Sequence, residues 1–189
     1  MIADSHGEAT VLFADLVGFS RLTNKLSPTH LVEMLNQIFS KFDELAERHS
    51  VEKIKTIGDC YMAVGGVPIY REGHSESVAD FALDIVEFVS NFAEKNKFSM
   101  SIRIGICTGQ VISGVIGLKK YTYDLWGDTV NLASRMESTS AEGKVHISEA
   151  TYWRLHDKYV IEERGETNIK DFPNTKSYYL LRKKETATK

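Results

Sequence analysis

The chain has 189 residues, 42% of them hydrophobic, and 23 basic against 26 acidic side chains give a net charge of −3. That size suits one domain that buries its own core without metal or disulfide staples, and the balanced charge argues against a nucleic-acid-binding face. No apolar run approaches the ~20 residues that cross a bilayer and no signal-peptide pattern opens the chain, which together point to a cytoplasmic domain with no membrane segment.

After a lead-in at residues 1–7, "EATVLFADL" is an apolar run ending around Asp15 and reads as the first strand. "SPTHLVEMLNQIFSKFDELAERH" follows, with Ser27 as N-cap, Pro28 at the first helical position and Leu31, Leu35, Ile38, Phe42 and Leu45 at helical spacing. Residues 51–57 and 60–66 read as two strands joined by a tight turn at Gly58-Asp59, and "SESVADFALDIVEFVSNFAEK" as a second amphipathic helix. "SMSIRIGICTGQVISGVIG" gives two further strands split near Gly109. The order βαββαβ predicts an α+β fold, a ferredoxin-like antiparallel sheet with helices on one face. A C-terminal α/β addition follows: a helix in "GDTVNLASRMEST", a strand in "KVHIS", a short helix in "SEATYWRLH", and closing strands at 158–163 and 177–182. The folded unit runs over 8–182 and residues 183–189 form a polar tail. Cys60 and Cys107 lie in apolar strand-like runs and read as reduced thiols. His6, His49, His74, His146 and His156 show no ligand spacing and read as surface or turn residues.

Two carboxylates fall at strand ends, Asp15 and Asp59. In a ferredoxin-like sheet those ends can meet, and paired carboxylates suit Mg²⁺, which takes few protein ligands and leaves room for phosphate oxygens. Gly18, just after Asp15, lets backbone N–H groups turn toward an anion. Asn131 and Arg135, spaced i, i+4, project from one helix face; an amide suits a sugar oxygen, and a guanidinium suits the charge that spreads over phosphorus in a displacement. Each feature alone is compatible with turn caps or a solvated helix face.

Four blocks, "LFADLVGFSRLT", "VEKIKTIGDCYMAVGG", "IRIGICTGQVISGVIG" and "YDLWGDTVNLASRMEST", resemble the catalytic domain of class III nucleotidyl cyclases, in family order across residues 8–182. The resemblance implies a cyclase that makes a 3′,5′-cyclic nucleotide and releases pyrophosphate, in sites formed between two catalytic domains. It implies that Asp15, Asp59 and the Leu16 carbonyl hold two Mg²⁺ or Mn²⁺ ions per site. It places the backbone of Gly18, Phe19 and Ser20 against the β- and γ-phosphates, Arg103 on the triphosphate, and Asn131 and Arg135 on the ribose and the transition state. Lys170 matches a phosphate-binding lysine, but Asp171 stands where a glycine commonly follows it.

Lys55 and Asp124 match the family's two base-selecting positions. A lysine only donates and an aspartate only accepts, which complements N1 and N6 of adenine and mispairs with guanine; the implied substrate is ATP. Tyr123 and Trp126 beside Asp124 read as packing residues or as walls of the base slot. Because one chain carries both halves of the equipment, a symmetric head-to-tail homodimer is implied. Family members commonly sit behind a sensor domain. The alternatives are a guanylyl cyclase, which Lys55 and Asp124 oppose, and a catalytically silent cyclase-like dimerisation module, which the full residue set opposes.

Overall fold

The computed structural model describes residues 2–185. Strand β1 (Ile2–Val17) runs through the middle of one sheet, antiparallel to β3 (Cys60–Gly65) on one side and to β4 (Ser101–Ile116) on the other, and β2 (Glu52–Ile57) closes the β3 edge. The order β2-β3-β1-β4 is the expected ferredoxin-like core. Beyond β4 lie β6 (Lys144–Ser148), parallel to it, then the hairpin of β7 (Tyr159–Ile169) and β8 (Phe172–Lys183), with β8 innermost.

Alternation along β1 builds two cores. Leu12, Ala14 and Leu16 face helices α2 (Pro28–His49) and α3 (His74–Asn96), meeting Ile38, Phe42, Val78 and Ile85 in one apolar cluster. Val11 and Phe13 point the other way, to helix α4 (Asp128–Ser138) and its Ala133. Helix α2 starts where the sequence predicts, with Ser27 Oγ accepting the His30 N–H at 3.3 Å and Pro28 at the first position.

Several expectations need correction. Strand β1 begins at Ile2, so residues 2–7 are not a lead-in; Ile2 pairs with Val115 and His6 with Val111, across a register shift between His6 and Ala9. The 99–117 segment holds one continuous strand, Ser101–Ile116, not two. Gly109 is no turn: a Cβ there would stand 2.6 Å from Thr129 Oγ1, so the glycine admits α4. Helix α4 covers the face opposite α2 and α3, and it lies so close to β4 that a Cβ on Gly105 would meet Glu137 N at 2.0 Å and Ala133 O at 2.4 Å. A fifth strand, β5 (Thr122–Trp126), pairs antiparallel with the end of β4, and the loop at Gly18 opens a single-turn helix α1 (Phe19–Leu22). His74 and His146 are buried, not superficial. His74 Nδ1 meets Thr10 Oγ1 at 3.0 Å, and His146 Nδ1 donates to the Met136 carbonyl at 2.8 Å. The short helix α5 (Glu149–Leu155) is capped by Ser148. Strand β8 reaches Lys183, and residues 186–189 of the expected tail lie outside the described residues.

Candidate active site

Strand register assembles the first part of the site. Asp15 on β1 stands opposite Cys60 on β3 and Arg103 on β4. Because Asp59 immediately precedes Cys60 in a turn whose Gly58 has φ +61°, the second carboxylate comes alongside the first, and the Leu16 N–H donates to the Asp59 carbonyl at 3.2 Å. Burial and the neighbouring charge of Asp15 raise the pKa of Asp59. Arg103 Nη2 donates to Asp15 Oδ2 at 3.0 Å.

A divalent cation fits this donor set. Two adjacent carboxylates repel one another, a hard cation relieves that repulsion, and the oxygen-only chemistry suits Mg²⁺ or Mn²⁺. Among the described residues no group of three or more His, Cys, Asp or Glu side chains is placed to hold a metal. Two carboxylates alone would supply a partial shell and leave positions for other oxygen ligands. Burial, Glu137 and the acid pair push the Cys60 thiol up to about 12, and both cysteines are free.

Glu137, on α4, completes this corner, and sequence reasoning missed it. Its Oε1 lies 3.3 Å from Arg103 Nε, and burial, with the charge of Asp15, pushes its carboxyl up to about 7. A signal was present. Glu137 follows Ala133 by four and Met136 by one, both fully buried, so helical spacing puts its carboxylate on the inward face.

The remaining candidates form two further groups. Lys55 Nζ, on β2, donates to Asp124 Oδ2, on β5, at 2.5 Å, while Asp124 Oδ1 accepts the Leu125 N–H at 2.8 Å. Asn131 and Arg135 do share a face of α4, where they line a cavity of about 480 Å³ with Asp128, Ser134, Asp171 and Phe172. Arg135 Nη2 is 3.8 Å from Asp171 Oδ2. Asp171 has φ +69°, in the turn between β7 and β8. Lys170, beside it, is exposed and does not line the cavity. Neither do Asp15, Asp59 and Arg103. At Gly18, φ is +87° and a Cβ would stand 2.5 Å from the Ser99 carbonyl, so only glycine fits; Phe19 packs on the core and Ser20 is exposed. Tyr123 packs against the Val11 side of the sheet, whereas Trp126 is partly exposed at the sheet margin.

The family described as Adenylate and Guanylate cyclase catalytic domain matches residues 1–183. Over 187 residues the chain is 43% identical to an adenylate cyclase of Mycobacterium tuberculosis, covering 99% of this chain and 42% of that relative, so it spans less than half the length of the curated protein. The guanylate cyclase domain of RhGC from Catenaria anguillulae, solved in complex with GTP, superposes with a TM-score of 0.92 at 35% identity, over 96% of this chain and 100% of that one. The adenylyl cyclase CyaB from P. aeruginosa superposes with a TM-score of 0.91 at 25% identity, over 96% of each chain.

Proposed function

Because the chain belongs to the family of adenylate and guanylate cyclase catalytic domains, we propose that it converts ATP to 3′,5′-cyclic AMP and pyrophosphate, in active sites shared by two copies arranged head to tail. The observation that carries the choice of ATP is the Lys55–Asp124 pair. In the free chain each group satisfies the other. Adenine replaces that one bond by two, with Lys55 donating to N1 and Asp124 accepting from the N6 amine. Guanine sets donor against donor and acceptor against acceptor, leaving part-buried groups unpaired.

Asp15 and Asp59, with the Leu16 carbonyl, would hold the two Mg²⁺ or Mn²⁺ ions, which when bound acidify the ribose 3′ hydroxyl and neutralise charge on the phosphates. The chain's own residues do the rest. Arg103, Lys170 and the Gly18–Ser20 backbone hold the triphosphate, and Asn131 orients the ribose so that its 3′ oxygen lies in line with the α-phosphorus. The 3′ hydroxyl gives its proton to solvent water, the new O3′–P bond forms as the bond from the α-phosphorus to the bridging oxygen breaks, pyrophosphate leaves, and Arg135 meets the charge that develops.

Two features support a shared site. Asp15 and Asp59 do not line the cavity that Asn131 and Arg135 border, which suits a site in which a second copy brings the two sets to one substrate. The β4–β5 arm also leaves Ile112, Ile116, Leu118, Tyr121 and Trp126 at least 39% exposed, an apolar edge that suits a second copy of the chain. A sensor segment elsewhere in a longer protein fits the fraction of the mycobacterial relative that is matched.

Turnover of ATP and GTP by the purified chain with Mn²⁺ tests the reading. ATP is expected to be the better substrate, and Lys55→Glu with Asp124→Cys should shift the ATP-to-GTP ratio toward GTP by about 10- to 100-fold, with loss of rate. A native chain that prefers GTP, or a ratio unmoved by the double substitution, contradicts the assignment.

A further inference from the structure

We propose that Glu137 is a positioning residue for Arg103: it grips the guanidinium by its Nε edge, so that the Nη edge can turn to the triphosphate when Asp15 turns to the cations. The inference rests on the reaction proposed above.

Arg103 is drawn between two carboxylates, and only one bond is fully made. Nη2 donates to Asp15 Oδ2 at 3.0 Å, whereas Nε faces Glu137 Oε1 at 3.3 Å without a formed hydrogen bond. Both of those atoms are buried and neither has another partner. A buried donor and acceptor held short of a full hydrogen bond favour closing it, so the pair is set to close as soon as the guanidinium is free to rotate. What restrains it is Asp15. Once Asp15 gives its oxygens to cations, Nη2 is released, the Nε–Oε1 bond can form, and the partly exposed Nη edge is left for phosphate oxygens.

Glu137 cannot drift from this place. Its backbone N sits where a Cβ on Gly105 would be, 2.0 Å from that ideal position, and Gly105 is two residues along the same strand from Arg103. Close contact of α4 with β4 therefore fixes the Glu137 backbone relative to the strand that carries Arg103. A carboxylate present only to neutralise a half-buried arginine would contribute to stability and leave the affinity for substrate alone. That difference is measurable.

The experiment is a double-mutant cycle. Calorimetry gives the affinity of the native chain, Glu137→Met, Glu137→Gln, Arg103→Ala and the combined variants for the Mn²⁺ complex of α,β-methylene-ATP, and steady-state turnover gives kcat and KM. Glu137→Met, which removes the acceptor at similar size, should weaken binding and raise KM about tenfold with kcat within about threefold. Glu137→Gln, which keeps Oε1 but not the charge, should lose about threefold. In the Arg103→Ala background neither should cost anything further. If Glu137→Met does not fold, Glu137→Gln carries the test, and its loss must vanish without Arg103. Native affinity in either variant, or losses that persist in Arg103→Ala, overturn the role of Glu137 alone; a native chain that binds neither the analogue nor ATP overturns it together with the proposed reaction.

Discussion

Asp171 holds a backbone conformation, φ +69°, that a side chain makes costly, and its carboxylate stands 3.8 Å from the Arg135 guanidinium. In the sequence it appears as a departure, a carboxylate where a glycine commonly follows the phosphate-binding lysine, and the expected consequence is a weaker local field at Lys170. Geometry adds a second consequence: the acid reaches Arg135, so under the proposed reaction a substrate phosphate must displace it. Asp171→Gly relieves strain of about 1 kcal/mol in the folded chain but gains a similar amount of freedom in the unfolded one, so stability should change by less than about 1 kcal/mol. The exposed ion pair is weak, and freeing Arg135 should lower the KM for ATP only about threefold. A higher KM in Asp171→Gly would show that the acid assists binding instead.

At the scale of elements, what the sequence made legible followed periodicity. Helices α2 and α3 lie close to where the apolar spacing put them, because each buries one face and exposes the other; strands β2 and β3 also lie close to their expected ranges, although β3 is buried almost throughout and β2 is largely exposed. Two kinds of element escaped. Strand β5 is short and carries Asp124 and Trp126, and the opening of β1 is polar, so neither shows alternation; both are held by ladder bonds to β4. Gly109 suggested a break in β4 because its real cause, the approach of α4, is a tertiary fact. His146 escaped for the same reason: alternation in "KVHIS" turns it away from Val145 and Ile147, toward what would be solvent if α4 and Arg164 did not cover it.

That burial has a pH signature. Burial, with Arg164 nearby, holds the His146 imidazole down to about 4, below its ordinary 6.5. The folded chain thus binds fewer protons than the unfolded one between those values, and stability is complete above pH 6.5 and falls as pH drops toward 4. At about 1.4 kcal/mol per pH unit the loss approaches ~3 kcal/mol. Carboxyls titrate in the same range, Glu137 with the opposite sign, so the quantity to measure is the unfolding free energy of the native chain minus that of His146→Asn. It should fall between pH 7 and pH 4; a flat difference would mean that the folded imidazole takes its proton freely.

For the molecule as a whole, the candidate site was legible as residues but not as one place. Asp15 with Asp59, Lys55 with Asp124, and Asn131 with Arg135 stand together in pairs, and the cavity that Asn131 and Arg135 line includes neither of the other two pairs. No helix among the described residues is long and apolar enough to cross a membrane. Under the proposed reaction, a second copy of the chain unites the three groups. Residues that act in one site across a two-fold interface can be broken in different chains and still be combined.

The direct measurement is ATP turnover by Asp59→Ala chains, by Asn131→Ala chains, and by an equal mixture of the two after exchange of subunits. Each variant alone should be inactive. The mixture should recover about a quarter of native activity, since half of the dimers are hybrids and each hybrid has one intact site. A mixture as inactive as its components, with hybrid dimers demonstrably formed, would contradict the shared site.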